Sequence, residues 1–176
     1  MPHALWGRFP MRTMDQAPYR IGPAQEGQQD AILALYRSML GGAADWDAHY
    51  PTMEHIVADM ARGNLFAMTE GDTLIAVISI DEDAEVACLP NWDPALEPAG
   101  ELSRLAVRQD CRNRGLARVM MEHAFAELRR RGCKGVHILI REGHVVAQRS
   151  YAHLGYRPAG RCRLFGKDFT CHERPL

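Results

Sequence analysis

The tightest constraint on the fold is a run of seven residues, Leu74 to Ile80, in which Ser79 is the only polar side chain. A strand of that composition has no polar face to offer water, so it lies inside a sheet covered on both sides. Covering both faces takes helices, and the rest of the chain supplies them.

Tyr19 to Gly22 reads as a short first strand. Asp30 to Leu40 carries Ile32, Leu35, Tyr36, Met39 and Leu40 at helical spacing and is closed by Gly41-Gly42. Pro51-Thr52 opens a second helix, with Met53, Ile56, Val57 and Met60 on one face and Gly63 at its end. Leu65 to Thr69 and Leu74 to Ile80 are strands joined at Glu70-Gly71-Asp72, a hairpin signal. Asp81 to Gly100 has no periodicity and holds three prolines, so it reads as a long irregular loop of the kind that often serves a site. Leu102 to Val107 is a strand, and Gly115 to Arg131 a helix with Leu116, Met120, Ala124 and Leu128 inward and Arg118, Glu122 and Arg129 outward. Val136 to Ile140 is a strand, Val145 to Leu154 a helix ended by Gly155, and Arg161 to Phe165 and Phe169 to Glu173 are strands turning at Gly166-Lys167-Asp168. The order is βααβββαβαββ, a single-domain α/β fold with a mixed sheet over residues 19–176, preceded by a loose arm at 1–18.

Several function classes drop out on composition. No apolar run approaches the roughly 20 residues of a membrane span, and the first 18 residues lack the apolar core of a signal peptide. The five cysteines are scattered with no C-x-x-C pair, so neither a disulfide framework nor a Cys-rich zinc site is expected, and a reducing cytoplasm is the simplest home. The histidines show no metal-ligand spacing, so no metal is expected. Arg129-Arg130-Arg131 ends a helix, where cations suit the dipole, and the chain lacks the overall basicity of a nucleic-acid binder. Charge is nonetheless lopsided. From Asn64 to Ser103 there are nine acidic residues and no Lys or Arg, while basic residues dominate from Arg104 onward.

The stretch that carries chemistry runs from Leu105 to Ala117. An apolar strand ends, an Arg-rich loop follows, and a helix starts at Gly115-Leu116. Free backbone N–H groups and guanidiniums at a helix N-terminus suit a diphosphate. The G-x-x-x-x-G-K-[ST] of a P-loop and the G-x-G-x-x-G of a dinucleotide site are both absent. What stands there is R-x-x-G-x-A, formed by Arg112, Gly115 and Ala117. Gly115 lets the backbone approach phosphates closely, and Arg112 and Arg114 add charge. An exposed Arg-rich loop with no ligand fits those six residues equally well.

The context is more specific. Leu105-Ala106-Val107 followed by R-x-x-G-x-A resembles the L-x-V strand and [QR]-x-x-G-x-[GA] loop of the GCN5-related N-acetyltransferases (GNAT). A second block, Ala147-x-x-x-Tyr151-x-x-x-Gly155-Tyr156, resembles a later element of that family, in the right order and on the right helix. Tyr50-Pro51-Thr52, with the loop at Pro90 to Pro94, is similar to a bacterial branch of it.

The resemblance implies a fold with splayed central strands and acetyl-CoA as co-substrate. The backbone of Leu105, Ala106 and Val107 would pair with the pantetheine arm, and the N–H of Val107 would polarise the thioester carbonyl. Arg112, Asn113, Arg114, Gly115, Leu116, Ala117 and Arg118 would hold the pyrophosphate. An amine would attack the thioester directly, and Tyr151 would give a proton to the leaving thiolate. Glu101, just before the strand, is the candidate base, with Asp81, Glu82 and Glu85 behind it.

The chain departs from the family pattern at three places. His144 replaces the usual Asn of the second block and is assigned to the pantetheine or a neighbouring carbonyl. Gln109 replaces a common Pro. No Glu lies in Val136 to Ile140, which leaves His137 as a titrating alternative or a core residue. The expected activity is transfer of acetyl to a primary amine, on a small molecule or a peptide, by a protein that could pair as a homodimer. A non-catalytic acyl-CoA-binding sensor or interaction module is the alternative, and a regulator that binds ATP or NAD is a third.

Overall fold

The structure is a computed structural model and describes residues 18–176, so the arm expected at 1–18 falls almost wholly outside the described residues. The elements are β1 (Tyr19–Pro23), α1 (Gln29–Arg37), α2 (Met53–Ala61), β2 (Leu65–Glu70), β3 (Thr73–Asp81), α3 (Ala84–Ala87), β4 (Ala99–Val107), α4 (Leu116–Arg130), β5 (Gly135–Arg141), α5 (Val145–Ala152), β6 (Arg157–Leu164) and β7 (Lys167–Pro175). They form one seven-stranded sheet in the order β1-β2-β3-β4-β5-β7-β6. Every pairing is antiparallel except β4 with β5.

β3 is central, and Ile75 to Ile80 are all buried, as its composition requires. One face packs on α4 through Leu116, Met120, Met121, Ala124, Phe125 and Leu128. The other face packs on α1 and α2 through Ile32, Leu35, Tyr36 and Ile56. A small third cluster, Val86, Trp92 and Cys171, fastens the α3 segment to the β6–β7 hairpin.

Several local expectations need correction. Asp81 to Gly100 is not irregular throughout. Asp83 caps α3 by accepting from the N–H groups of Glu85 and Val86, Asp93 caps a one-turn helix at Pro94–Leu96, and β4 begins at Ala99 rather than Leu102. On α2, Val57 is 52% exposed and Asp59 takes the buried position. The final hairpin turns at Phe165-Gly166, both at positive φ (53° and 72°), one residue earlier than the Gly and Asp signals suggest. α1 ends at Arg37, which frees residues 38–50 as a strap between α1 and α2.

The pairing of β4 with β5 positions the site. The two strands pair only from Ala99 to Glu101 against Gly135 to His137. That closed end is tight: a Cβ on Gly135 would lie 2.6 Å from Leu96 Cβ. Further along, three residue steps of β4 (Ser103 to Ala106) face two of β3 (Val77 to Ser79), and Arg104 sits at φ 48°. This bulge bends β4 away from β5. Beyond it the strands part and leave the β5-facing edge of Leu105 to Val107 unpaired in the sheet.

Candidate active site

The parted strands open two cavities that meet. One, of about 760 Å³, runs from Gly115 and Leu116 at the start of α4 along Val107 to α5. The other, of about 570 Å³, lies under the strap and reaches Glu101, Asp81 and Tyr50. Met39, Ala44, Leu105, His144, Ala147 and Tyr151 line both, so they mark the junction.

Along β4 and the start of α4 the first cavity meets free main-chain groups. The N–H of Arg108 bonds the carbonyl of Ile75 at 2.9 Å, so strand alternation turns the N–H and C=O of Val107 into the gap. Leu105 shares that edge. Ala106 faces β3 opposite Val77 and packs its methyl into the α1–α2 core, so it offers no edge group to the gap. Asn113 at φ 61° and Gly115 at φ 75° turn the loop into α4. The first bond from the helix cap is Val119 N–H to Gly115 carbonyl at 3.2 Å, which leaves the amides of Leu116, Ala117 and Arg118 free. A Cβ on Gly115 would meet nothing within 4 Å, so the space above the loop is open.

The arginines sort themselves by partner. Arg108 pairs with Asp110, Arg114 with Glu70 at 2.9 Å and Arg118 with Glu122 at 2.8 Å. Arg112 has no carboxylate partner among the described residues, and its Nη2 lies 3.0 Å from Met39 Sδ. Arg112 therefore keeps its full charge for an anion, while Arg114 shares its own.

The second cavity is lined by a cluster of charged side chains. Arg104 is buried at the bulge. Its Nε and Nη2 donate to Asp59 at 3.0 and 3.1 Å, and its Nη1 donates to Asp81 at 2.7 Å and to the Tyr50 hydroxyl at 3.2 Å. Ser79, the one polar residue of the apolar run, donates to Asp59 at 2.7 Å. Ser103 donates to Asp81 at 2.9 Å. This network was not read from the sequence. Its signal was present in two places, an acid on the inward face of α2 and a serine in an otherwise apolar strand, since buried polar groups need partners.

Glu101 faces Asp81 across β3 and β4. Its Oε2 is buried and has no hydrogen-bond partner. Burial first, then the negative charges of Asp81 and Asp83, push the carboxyl up to about 9, with Arg104 offsetting part of the effect. Burial also works to raise Asp81, but Arg104 and Ser103 outweigh it and hold that carboxyl below its ordinary value. Asp81 is thus a fixed anion. Glu82 and Glu85 are exposed and line neither cavity. Glu101 is the group poised to take up and release a proton.

Tyr151 is half-buried at the junction, and burial pushes its phenol up to about 12. His144 precedes α5 at the same junction, and burial lowers its imidazole below the ordinary value. His137 does not reach the site. It is buried, stacked on Trp92 with centroids 4.0 Å apart. His55 caps α2 by accepting from Thr52 N–H at 3.1 Å. Among the described residues no cluster of His, Cys, Asp or Glu has the makings of a metal site, and no helix is long and apolar enough to cross a membrane.

The model of the acetyltransferase (GNAT) family matches residues 30–156, and the chain belongs to that family. No curated protein sequence matches it. Solved structures share the fold. Ribosomal-protein-alanine N-acetyltransferase from Brucella melitensis is 18% identical with a TM-score of 0.71, over 89% of this chain and 99% of that one. PaiA N-acetyltransferase from Thermoplasma acidophilum, in complex with coenzyme A, is 14% identical with a TM-score of 0.68, over 90% and 99%. YncA from Salmonella typhimurium, with acetyl-CoA, is 19% identical with a TM-score of 0.70, over 90% and 94%.

Proposed function

We propose that this chain is an acetyl-CoA-dependent N-acetyltransferase whose acceptor is a primary amine. The observation that carries the reading is the meeting of two unlike cavities at Tyr151. One is lined by free amides and an uncompensated Arg112, and the other ends at the unpartnered carboxyl of Glu101.

The residues fit coenzyme A. The free amides of Leu116, Ala117 and Arg118, the open space above Gly115 and the charge of Arg112 suit a pyrophosphate. The gap-facing edge of Leu105 and Val107 suits the amides of a pantetheine arm, added as a strand would be. Acetyl-CoA supplies an acetyl group activated as a thioester.

The chain's own residues do the rest. Glu101 in its ionised form, which gains population as the pH rises towards 9, takes the proton that the amine loses as its nitrogen bonds to the acetyl carbon. The N–H of Val107 donates to the negative charge that develops on the carbonyl oxygen. Tyr151 donates its phenolic proton to the sulfur as the carbon–sulfur bond breaks, and it regains a proton through solvent from Glu101. A carboxyl near 9 lies close to an alkylamine's own range, which favours proton transfer between the two.

Thiol release from acetyl-CoA across a panel of primary amines tests this reading. Turnover dependent on both acetyl-CoA and an amine is the expected result. CoA binding with no turnover on any small amine, polyamine or peptide would leave the sensor reading in its place. Binding of ATP or NAD without CoA would sink both.

A further inference from the structure

The strap at 38–50 lines the acceptor cavity and is tied to β5 and to the β6–β7 hairpin. Lys167, just past the tip of the β6–β7 hairpin, donates to the Asp45 carbonyl at 2.6 Å and sits 3.5 Å from the Asp45 carboxylate and 3.6 Å from that of Asp47. Arg141, at the end of β5, donates to Asp45 at 3.1 Å and to the Asp168 carbonyl at 2.6 Å. Asp45 itself sits at φ 58°, and Arg37 holds the strap's other side through the Ala48 carbonyl at 2.9 Å. Three elements far apart in sequence thus close on one another around a cavity of about 570 Å³, the size of a small-molecule site.

The charges inside are unevenly spent. Arg104 is satisfied by Asp59 and Asp81, and Arg141 and Lys167 by the strap. Arg62 at the rim lies 3.9 Å from Glu82. What remains is the buried Glu101 beside Asp81, with Asp83 also lining the cavity. A carboxylate on the acceptor would meet the negative charge that Asp59 and Asp81 together leave over the single Arg104, with Asp83 beside it, and Arg62, held loosely at the rim, is the one cation left among the described residues to answer it. Four aromatic side chains line the cavity, Trp46, Tyr50, Phe165 and Phe169, and the first two stand edge to face at 6.4 Å.

On the acetyltransferase reading above, we propose that the acceptor is a compact, carboxylate-free primary amine with an apolar body. The Lys167–Asp45–Asp47 latch excludes the end of a peptide chain, which would have to continue out past the tied strap.

Three probes isolate the features: phenylalaninamide, phenylalanine, and the tetrapeptide Phe-Gly-Ala-Gly amide. All present the same body and an α-amine; only phenylalanine bears a carboxylate, and only the tetrapeptide continues the chain. Their affinities for the full chain saturated with CoA are read by calorimetry, and turnover with acetyl-CoA is read separately. Phenylalaninamide should bind about tenfold more tightly than either of the others. Lys167→Met should narrow the gap between phenylalaninamide and the tetrapeptide about threefold, as suits an exposed pair, and Lys167→Arg should keep the wild-type gap. Equal binding of the amide and either rival overturns the proposal. So does an unchanged gap in a Lys167→Met protein that retains its far-UV spectrum and CoA affinity, or failure of all three probes to bind. If the preference and its Lys167 dependence hold but no probe turns over, the acetyltransferase reading falls and the acceptor-site reading stands.

Discussion

At the cofactor end, the free amides and the Arg112 guanidinium come from one short run, Leu105 to Arg118, while the strap and the α5 segment supply the remaining walls. At the acceptor end the walls come from the strap, α2, β3, the α3 segment, β4, β5, the α5 segment and the last hairpin, and the charged side chains of Asp59, Asp81 and Arg104 among them are paired with one another. One end is fixed by local backbone geometry: a bulge, a left-handed Gly115 and the start of a helix. The other is fixed by a buried charge cluster that exists only when distant elements assemble. Main-chain groups cannot be mutated away, whereas a charge cluster can be dismantled one carboxylate at a time. The two ends should therefore fail separately.

The largest expected effect tests that separation. Asp59→Ala leaves the buried guanidinium of Arg104 with only Asp81 and the Tyr50 hydroxyl. Removing one partner of a buried pair costs about 3–5 kcal/mol, to be read in urea unfolding. Turnover with an amine should collapse, while CoA affinity of the folded fraction holds. Equal loss of CoA binding would show that the two ends are not separately built.

The converse substitution is Gly115→Val. The fold has room for the side chain, although φ 75° adds strain of about 1–2 kcal/mol. The isopropyl group stands where phosphates would approach the loop. CoA affinity should drop about 100-fold, near 3 kcal/mol, with little change in secondary structure. Unchanged affinity would remove the loop from the cofactor site.

Tyr151 sits where the ends meet, so Tyr151→Phe probes the step that joins them. A phenol raised to about 12 gives up its proton reluctantly, and a thiolate leaves readily without help. Turnover should fall about tenfold, below the 10²–10⁴ usual for a decisive acid or base, with acetyl-CoA affinity nearly constant. Equal activity of the two proteins would make Tyr151 a packing residue.

The same contrast explains what could be read in advance. The loop at Arg112 to Ala117, the strand before it and the helix that carries Tyr151 were legible because each local structure lies within a few residues of its own signal. The central burial of β3 and the inward stripe of α4 followed from periodicity alone. The Asp59–Arg104–Asp81 network was not legible, because its partners lie up to 45 positions apart and pair only across β3, β4 and α2. Helical spacing places Val57 in the core and gives Asp59 no inward role, whereas Asp59 is buried and Val57 exposed, for the same reason. Helical spacing ranks apolar side chains inward, and only a buried cation on a bulged strand reverses that order. Lys167 and Asp45, 122 positions apart, are a further case.

Glu101 belongs to the acceptor end but owes its state to burial, so it links function to stability. In the unfolded chain its carboxyl titrates at its ordinary value near 4.5, and in the folded chain near 9. Below 4.5 both states hold the proton and the residue contributes nothing to pH dependence. Between 4.5 and 9 the folded state keeps a proton that the unfolded state has released, so stability declines as pH rises through that window. Glu101→Gln removes the titration. The melting temperature of the variant should therefore rise relative to wild type from pH 5 to pH 9, by about 2–4 °C per kcal/mol in a domain of this size. Parallel melting curves across that range would mean that Glu101 ionises like a solvated carboxylate, and the match between its carboxyl and an alkylamine would be lost.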